Sequence, residues 1–365
     1  MRDPASLANL RVCANEARAA LWSRVVGVHD LGVHHAIRAV ANSNGGGAPG
    51  EAIHARRARA EQCQLIAAGG EGTTTARSGA VITKNADGTA LSGQRAVTVG
   101  ATHSCALSST GTVSCWGHNA NGQLGDGTAT RSKHPVSVRT SAGVTLKSVK
   151  SISAGSNHTC AVLTNGTVWC WGNQASGATG SPTNAQRGAV QVRTATGFLT
   201  GITQVSSGKQ YSCALAGTAA SWCWGRNSNG QLGDGTTSNQ FHAVHIKSGT
   251  TPLVNLVAIA AGTGEHSCAL GTAGQVYCWG ANTARQLGDG TIVQRTSAVG
   301  FVPSTTKLTG PFKSIAVGEA HSCGRTNGGA VWCWGRNTRG QLGNGSKVAS
   351  TTVVRVKNSR AVFGE

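Results

Sequence analysis

Residues 103–128 read HSCALSSTGTVSCWGHNANGQLGDGT, and this stretch decides the fold because close variants of it return four more times along the chain. Each copy carries a pair of cysteines, a Trp-Gly pair and a glycine-rich turn. The Trp-Gly pairs lie 55, 53, 55 and 55 residues apart, at Trp116, Trp171, Trp224, Trp279 and Trp334. A regular period of this length indicates a repeat architecture, in which each unit buries its apolar surface against its neighbours.

Each repeat contains two short apolar runs around a Gly-containing turn, with one further run before them and another after them. This pattern predicts four antiparallel strands in about 55 residues, which is the size of a propeller blade. The composition agrees, because 52 Gly and a single Met favour strands and tight turns over helices. We therefore predict an all-β fold, a β-propeller of four-stranded antiparallel blades at about residues 97–139, 149–193, 202–247, 254–302 and 312–357.

The repeats resemble those of the regulator of chromosome condensation family, in its bacterial, disulfide-containing form. The motif W-G-x-N-x-x-G-Q-L-G stands at 116–125 and, with small changes, at 224–233 and 334–343. The fourth repeat has Arg285 where this motif has Gly, and the second reads GATG at 177–180. The resemblance covers about residues 80–357 and implies a propeller, usually of seven blades. Since five are visible, we expect a ring that is open or truncated.

Residues 1–77 lack the repeat and are rich in Arg and Ala. We expect them to be disordered or foreign to the propeller, with a small helical cap as the alternative, and we expect residues 78–365 to form the propeller. Residues 80–84 read AVITK and predict one extra strand, the last of a preceding blade. A fragment or a rearranged gene product would explain this organisation.

Ten of the twelve cysteines form pairs that are ten positions apart, each centred in or beside a Gly-containing turn. Residues symmetric about a hairpin turn face each other across the two strands, at a separation that a disulfide tolerates. Reduced buried cysteines are the alternative, and zinc fits poorly because its sites need four converging ligands. Cys13 and Cys63 have no partner in a repeat. The predicted disulfides are Cys105–Cys115, Cys160–Cys170, Cys213–Cys223, Cys268–Cys278 and Cys323–Cys333.

Disulfides persist in oxidising compartments, so the cysteine pairs favour an extracellular, periplasmic or cell-surface location. The beginning of the sequence shows no signal peptide, which argues the other way. No stretch of the sequence reaches the roughly 18 to 20 apolar residues of a membrane span.

Two further repeat positions carry ring side chains. The first lies two residues before the leading cysteine and holds His103, His158, His266 and His321, but Tyr211 in the third repeat. A position that accepts Tyr indicates a scaffold role rather than a metal ligand. The Trp that recurs in all five Trp-Gly pairs is predicted to form the core between blades, whereas the preceding Trp of W-C-W-G, present in only three repeats, is the freer position.

No sequence motif for catalysis is visible: there is no G-x-S-x-G elbow, no H-E-x-x-H and no P-loop. We therefore expect no enzyme activity, no cofactor and no metal. The G-D-G-T turns lack the alternating acids of a calcium loop. Their carboxylates, Asp126, Asp234 and Asp289, are expected to bind the local backbone.

The formal charge is +19, and basic side chains recur where the fourth strand of a repeat ends. Arg139, Arg193, Lys247 and Lys357 each follow a V-x-V or V-x-I run, while the fourth repeat has Val302. Equivalent positions of stacked blades fall on one edge, so these four side chains are a candidate binding rim for an acidic partner. Protection of strand edges against aggregation is the alternative.

The sequence thus favours a non-catalytic interaction module that binds a protein or a glycan, with nucleic acid a second candidate. Its contacts would come from the rim and from the loops at 131–135, 181–189, 237–242 and 292–298, because loops on a rigid repeat scaffold commonly carry function. The alternative that the resemblance implies is guanine-nucleotide exchange on a small GTPase, with or without chromatin association. Fold resemblance alone does not carry that activity.

Overall fold

The computed structural model describes residues 81–182, 187–301 and 310–357, where the chain forms 22 β-strands and one short 3-10 turn at Ala175–Gly177. Five four-stranded antiparallel sheets account for twenty of these strands, and each sheet keeps its strands in chain order. The all-β prediction is confirmed, and each sheet corresponds to one repeat. Residues 1–77, including Cys13 and Cys63, and Val302 lie outside the described residues.

We number the sheets as blades 1 to 5. Blade 1 contains β1 (Gln94–Val99), β2 (His103–Ser108), β3 (Val113–Gly117) and β4 (Ser132–Ser137). Blade 2 contains β5 (Val149–Ala154), β6 (His158–Leu163), β7 (Val168–Gly172) and β8 (Val190–Gln191). Blade 3 contains β9 (Gln204–Ser207), β10 (Tyr211–Ala216), β11 (Ala220–Gly225) and β12 (Gln240–His245).

A two-stranded ribbon of β13 (Lys247–Ser248) and β14 (Thr251–Pro252) links blades 3 and 4. Blade 4 contains β15 (Leu256–Ala261), β16 (His266–Gly271), β17 (Val276–Gly280) and β18 (Arg295–Gly300). Blade 5 contains β19 (Phe312–Val317), β20 (His321–Thr326), β21 (Val331–Gly335) and β22 (Ser350–Arg355).

The first strands of successive blades pack on one another, since β1 contacts β5, β5 contacts β9, β9 contacts β15 and β15 contacts β19. The fourth strand of each blade therefore lies at the other edge of its sheet, away from this central row. Residues 81–83 belong to no strand, and Lys84 forms an isolated bridge with Ala90.

The core lies between blades. Trp171 of blade 2 packs in one cluster with Leu107 and Leu124 of blade 1. The later interfaces repeat this packing of Trp on apolar side chains, except that Thr179 stands in place of the second Leu between blades 2 and 3. All five repeated Trp side chains are at most 1% exposed. Blades are thus joined by the same apolar chemistry, which a single blade could not bury by itself.

The middle hairpin of each blade aligns its two cysteines directly, as in the register Cys105 to Cys115. All five predicted disulfides form, with Cα–Cα distances of 4.0 to 4.1 Å. The same register places each Trp of a Trp-Gly pair opposite a Ser or Thr, as with Ser104 and Trp116.

Candidate functional site

The four predicted rim residues occupy one repeated position. The backbone N–H of each donates to the carbonyl of the first glycine of the G-D-G-T-type turn in its own blade, at 2.8 Å in all four cases: Arg139 to Gly125, Arg193 to Gly180, Lys247 to Gly233 and Lys357 to Gly343. These bonds fix the backbone immediately after the fourth strand. The structure therefore puts the four cations in equivalent places at the outer edges of blades 1, 2, 3 and 5.

Lys84 is a further cation at this position that the sequence analysis did not include. Its bridge to Ala90 matches the bridges of Arg139 to Thr145 and Arg193 to Phe198. The carbonyl of Lys84 accepts a hydrogen bond from Nδ1 of His134 in the fourth strand of blade 1, at 3.2 Å. The signal was present in the sequence, because Lys84 follows V-I-T as Arg139 follows V-S-V.

The charges of the rim face solvent. Lys84, Arg139 and Lys357 are exposed, and Arg193 and Lys247 are half-buried. In the part of the chain that the structure describes, none of the five forms an ion pair with an acid. Two are held locally: Arg139 donates from Nη1 to the carbonyl of Gly143 at 3.1 Å, and the guanidinium of Arg193 lies 4.9 Å from the ring centroid of Phe198.

The fourth strands and the loops before them contribute apolar surface. Phe241 is 47% exposed, and Ile292 and Val293 are 57% and 56% exposed. Most of the predicted loop 131–135 belongs to β4, and the second halves of 237–242 and 292–298 belong to β12 and β18. Residues 183–186 of the remaining loop lie outside the described part. Apolar side chains beside basic ones are common where a protein surface binds another protein.

A shallow pocket opens between blades 4 and 5, lined by Thr283, Ala284, Arg285, Arg336, Thr338 and Ala349. Arg285 has a φ of 68°, a left-handed conformation that the other repeats meet with Gly. A non-glycine residue held in that region is uncommon outside turns and functional sites. Two of the side chains that line the pocket, Arg285 and Arg336, are cations.

The Asp carboxylate of each G-D-G-T turn accepts hydrogen bonds from the backbone of the same turn and from a nearby Asn side chain. In blade 4, Nδ2 of Asn282 donates to Oδ1 of Asp289 at 3.0 Å, and the N–H of Thr291 donates to the same oxygen at 3.0 Å. Burial would raise the pKa of Asp289, but Arg295, Thr291 and Asn282 together hold it below its usual value. Local bonding of these carboxylates, as the sequence predicted, is what the structure shows.

The repeated histidines join blades. Nε2 of His158 lies 2.8 Å from Oγ of Ser212 in blade 3, and His103 and His266 make the same contact with Thr159 and Ser322. In the third repeat the hydroxyl of Tyr211 instead donates to the carbonyl of His266 at 2.6 Å. No cluster of three or more metal-type ligands occurs among the described residues. Their contacts between blades make these rings part of the scaffold.

No helix in the described ranges has the length and hydropathy needed to cross a membrane.

The chain matches the family model described as the RCC1-like domain over residues 60–364, a match that begins within the segment 1–77. It is 29% identical over 253 residues to the ultraviolet-B receptor UVR8 of Arabidopsis thaliana, covering 69% of this chain and 55% of the relative. It is 31% identical over 270 residues to the mitochondrial RCC1 domain-containing protein RUG3 of the same plant, covering 72% and 58%. The chain thus spans little more than half the length of these curated relatives.

Solved structures agree on the fold. Human WBSCR16 aligns with a TM-score of 0.61 at 24% identity, over 72% of this chain and 67% of that one. Yeast RCC1 (Prp20), solved bound to Kap60, aligns with a TM-score of 0.59 at 21% identity, over 72% and 60%. Together with five stacked four-stranded blades and their recurring Trp-Gly motifs, these matches show that the chain belongs to the RCC1-like domain family.

Proposed function

We propose that the chain is a non-catalytic interaction module that works outside the reducing cytosol and binds an acidic protein or glycan through its basic rim and the adjoining loops. The observation that carries the proposal is a repeated cation at the outer edges of blades 1, 2, 3 and 5, namely Arg139, Arg193, Lys247 and Lys357, with Lys84 at the matching position before blade 1. These side chains are exposed or half-buried, and none forms an ion pair among the described residues. A row of like charges on a rigid scaffold favours association with a polyanion.

The compartment follows from the cysteines. Five disulfides, one in each blade, would not persist against the reductants of the cytosol. Alkylation of the unreduced, denatured protein from its native source, followed by mass spectrometry, tests this. Five linked pairs support an oxidising compartment, and ten free thiols would overturn it.

The binding proposal is tested by replacing the four rim residues together with Gln. We expect binding to immobilised poly-L-glutamate or heparin to weaken, with a shallower dependence on salt, because fewer cations contact the polyanion. The matched control compares two double variants: Arg139 and Lys357 replaced with Gln, against Lys150 and Lys313 replaced with Gln. Lys150 and Lys313 are exposed cations in the first strands β5 and β19, at the opposite edges of their sheets, so the same charge is removed away from the rim. Equal weakening by both variants would show that net charge alone determines binding, and would contradict the rim as the binding site.

Guanine-nucleotide exchange on a small GTPase is the second candidate. It is favoured by the likeness to Prp20, whose structure report describes binding to Gsp1p and histones. Acceleration of labelled-nucleotide release from a small GTPase by the purified chain would support it. Because a chain kept outside the cytosol would not meet a cytosolic GTPase, disulfides in native material argue against this candidate.

A further inference from the structure

The pocket between blades 4 and 5 collects cations and hydroxyls from two neighbouring blades. Thr283 and Arg285 come from the turn after β17, and Arg336 and Thr338 come from the turn after β21. No acid of the described residues lines this pocket. Its volume is about 210 Å³, several times the roughly 30 Å³ that one water molecule takes in the liquid. The pocket therefore has room for a small polyatomic ion.

Arg285 occupies a backbone position at which the other four repeats have glycine. Its φ is 68°, and the equivalent residues are Gly122 with a φ of 73°, Gly177 with 83°, Gly230 with 72° and Gly340 with 78°. A side chain makes this left-handed conformation unfavourable, which is why glycine is the usual residue there. Such uncommon conformations cluster at functional sites, so the exception points to a role for the guanidinium of Arg285.

A side chain at this position also needs space from the next blade. A Cβ added at Gly122, Gly177 or Gly230 would lie 2.8 Å from a Cα atom of the following blade, closer than side chains approach a backbone. The interface between blades 4 and 5 accommodates the Cβ of Arg285, and the pocket opens at this same interface. Blade 4 thus differs from the other blades both in the residue and in the space around it.

The second cation lacks the acid that neutralises its counterpart in blade 3. Arg226 and Arg336 each directly follow a Trp-Gly pair. Nη1 of Arg226 lies 2.8 Å from Oε1 of Glu265 in the next blade. Within the described ranges, the side chains of Arg285 and Arg336 form neither an ion pair nor a hydrogen bond with the protein. Two like charges at one pocket without an acid favour the binding of an anion.

We infer that this pocket binds a tetrahedral oxyanion group, a sulfate or a phosphate, between the guanidinium groups of Arg285 and Arg336 and the hydroxyls of Thr283 and Thr338. A guanidinium group offers two parallel N–H donors to such an anion. Because the two arginines come from different blades, an anion with oxygens in several directions suits them better than a planar carboxylate. The inference goes beyond the proposed function, since no rim residue lines the pocket.

Protection of arginines against phenylglyoxal tests the inference on the full chain. Modification of each arginine is followed by peptide mass spectrometry at rising concentrations of sodium sulfate, sodium phosphate, methyl sulfate or methyl phosphate, and sodium chloride keeps the ionic strength constant. Sodium acetate serves as the planar anion. Two arginines are internal controls: Arg339 is an exposed cation of the same turn outside the pocket, and Arg226 is already paired with Glu265.

Three variants separate the pocket from general charge effects. Arg285→Gly restores the residue of the other repeats, so it should leave the thermal unfolding midpoint unchanged or raise it. It should increase the sulfate concentration that half-protects Arg336 by about tenfold, because a charged hydrogen-bond donor is lost. Arg336→Gln should have the same effect on the protection of Arg285. Arg339→Gln, which removes one charge from the same turn, should change either value by less than about twofold.

We expect Arg285 and Arg336 to be protected together, at a sulfate concentration at which the reactivity of Arg339 and Arg226 is unchanged. Protection by the two methyl esters as well would identify a group carried on a larger ligand, and protection by the inorganic ions alone would identify a free anion.

The inference is overturned if acetate protects equally well, if Arg339 is protected as strongly as Arg336, or if Arg285→Gly leaves the protection of Arg336 unchanged. The variant with all four rim residues replaced by Gln should keep full protection at the pocket. Failure of the rim as a binding site would therefore leave this inference standing, and the reverse also holds.

Discussion

The buried histidines act as neutral links between blades. Desolvation by burial lowers the pKa of His103 to about 4, and it lowers those of His158 and His266 to about 3. A smaller contribution comes from a neighbouring histidine in each case. Since an imidazole in the unfolded chain titrates near 6.5, the unfolded state binds these protons first as the pH falls.

We predict that the stability carried by these histidines is fully present above about pH 7 and is lost as the pH falls from 6.5 towards 4. Each buried imidazole should reduce the free energy of unfolding by about 1.4 kcal/mol per pH unit in that window. Denaturant unfolding at pH 7.5, 5.5 and 4.5 measures the slope above the range in which carboxylates such as Asp289 protonate.

The matched variant is His158→Tyr, because Tyr211 already occupies the equivalent position in blade 3. Tyr does not titrate in this window, so the variant should show a pH slope smaller by about one proton. An unchanged slope would contradict the assignment of the acid sensitivity to the buried rings.

Within each blade, hairpin register and turn geometry determine how strands pack on the next blade. Gly233 has a φ of 69°, and a Cβ added there would lie 2.9 Å from the Trp279 ring. Gly235 has a φ of 89°, but a Cβ there meets nothing within 4 Å. The two glycines differ in packing against the neighbouring blade, while both need the left-handed conformation.

We predict that Gly233→Ala destabilises the protein more than Gly235→Ala does. Both variants carry the cost of a positive φ, about 1 to 2 kcal/mol, and only the first adds overpacking against Trp279, about 1 to 3 kcal/mol more. Denaturant unfolding of the two variants measures the difference. Equal costs would mean that the indole moves away without loss.

A second prediction for the strands concerns the disulfide of one hairpin. Replacing Cys213 and Cys223 together with Ala should lower the free energy of unfolding by about 2 to 3 kcal/mol, since each cross-link closes a short loop in the unfolded chain. Chemical unfolding compares the variant with the parent, and reductant should affect the variant less. A variant as stable as the parent would show that this cross-link adds nothing to the free energy of unfolding.

Across the whole molecule, stability is a sum of blades and the interfaces between them. Trp224 lies in the cluster between blades 2 and 3, and its Nε1 donates to the carbonyl of Ala178 in blade 2 at 3.1 Å. Thr179 fills the place of the Leu found in the other repeats, and its buried hydroxyl has no hydrogen-bond partner among the described residues. The interface between blades 2 and 3 therefore contains a buried hydroxyl where the other interfaces contain a leucine side chain.

We predict that Trp224→Ala increases hydrogen exchange in β5 to β12 and leaves β19 to β22 nearly unchanged. Trp334→Ala, which removes the same side chain at the interface of blades 4 and 5, should affect β15 to β22 instead. Hydrogen exchange followed by mass spectrometry resolves the blades. A uniform rise throughout the molecule would show that the blades unfold as one unit.

Much of the fold follows from spacing along the chain. Cysteines ten positions apart around a Gly-containing turn must face each other, because an antiparallel hairpin pairs residues symmetrically, and a Trp that returns every 53 to 55 residues must pack between like neighbours. These features are local or periodic, so the sequence alone determined the disulfide pairs, the four-stranded blades and the buried Trp row.

Contacts between blades were decided only by the tertiary structure. The spacing does not show that His158 contacts Ser212 or that Arg285 and Arg336 line one pocket, because each of these contacts depends on how the blades rotate and stack. The hairpin register is a property of one strand pair, whereas the rim and the pocket exist only once neighbouring repeats are packed together.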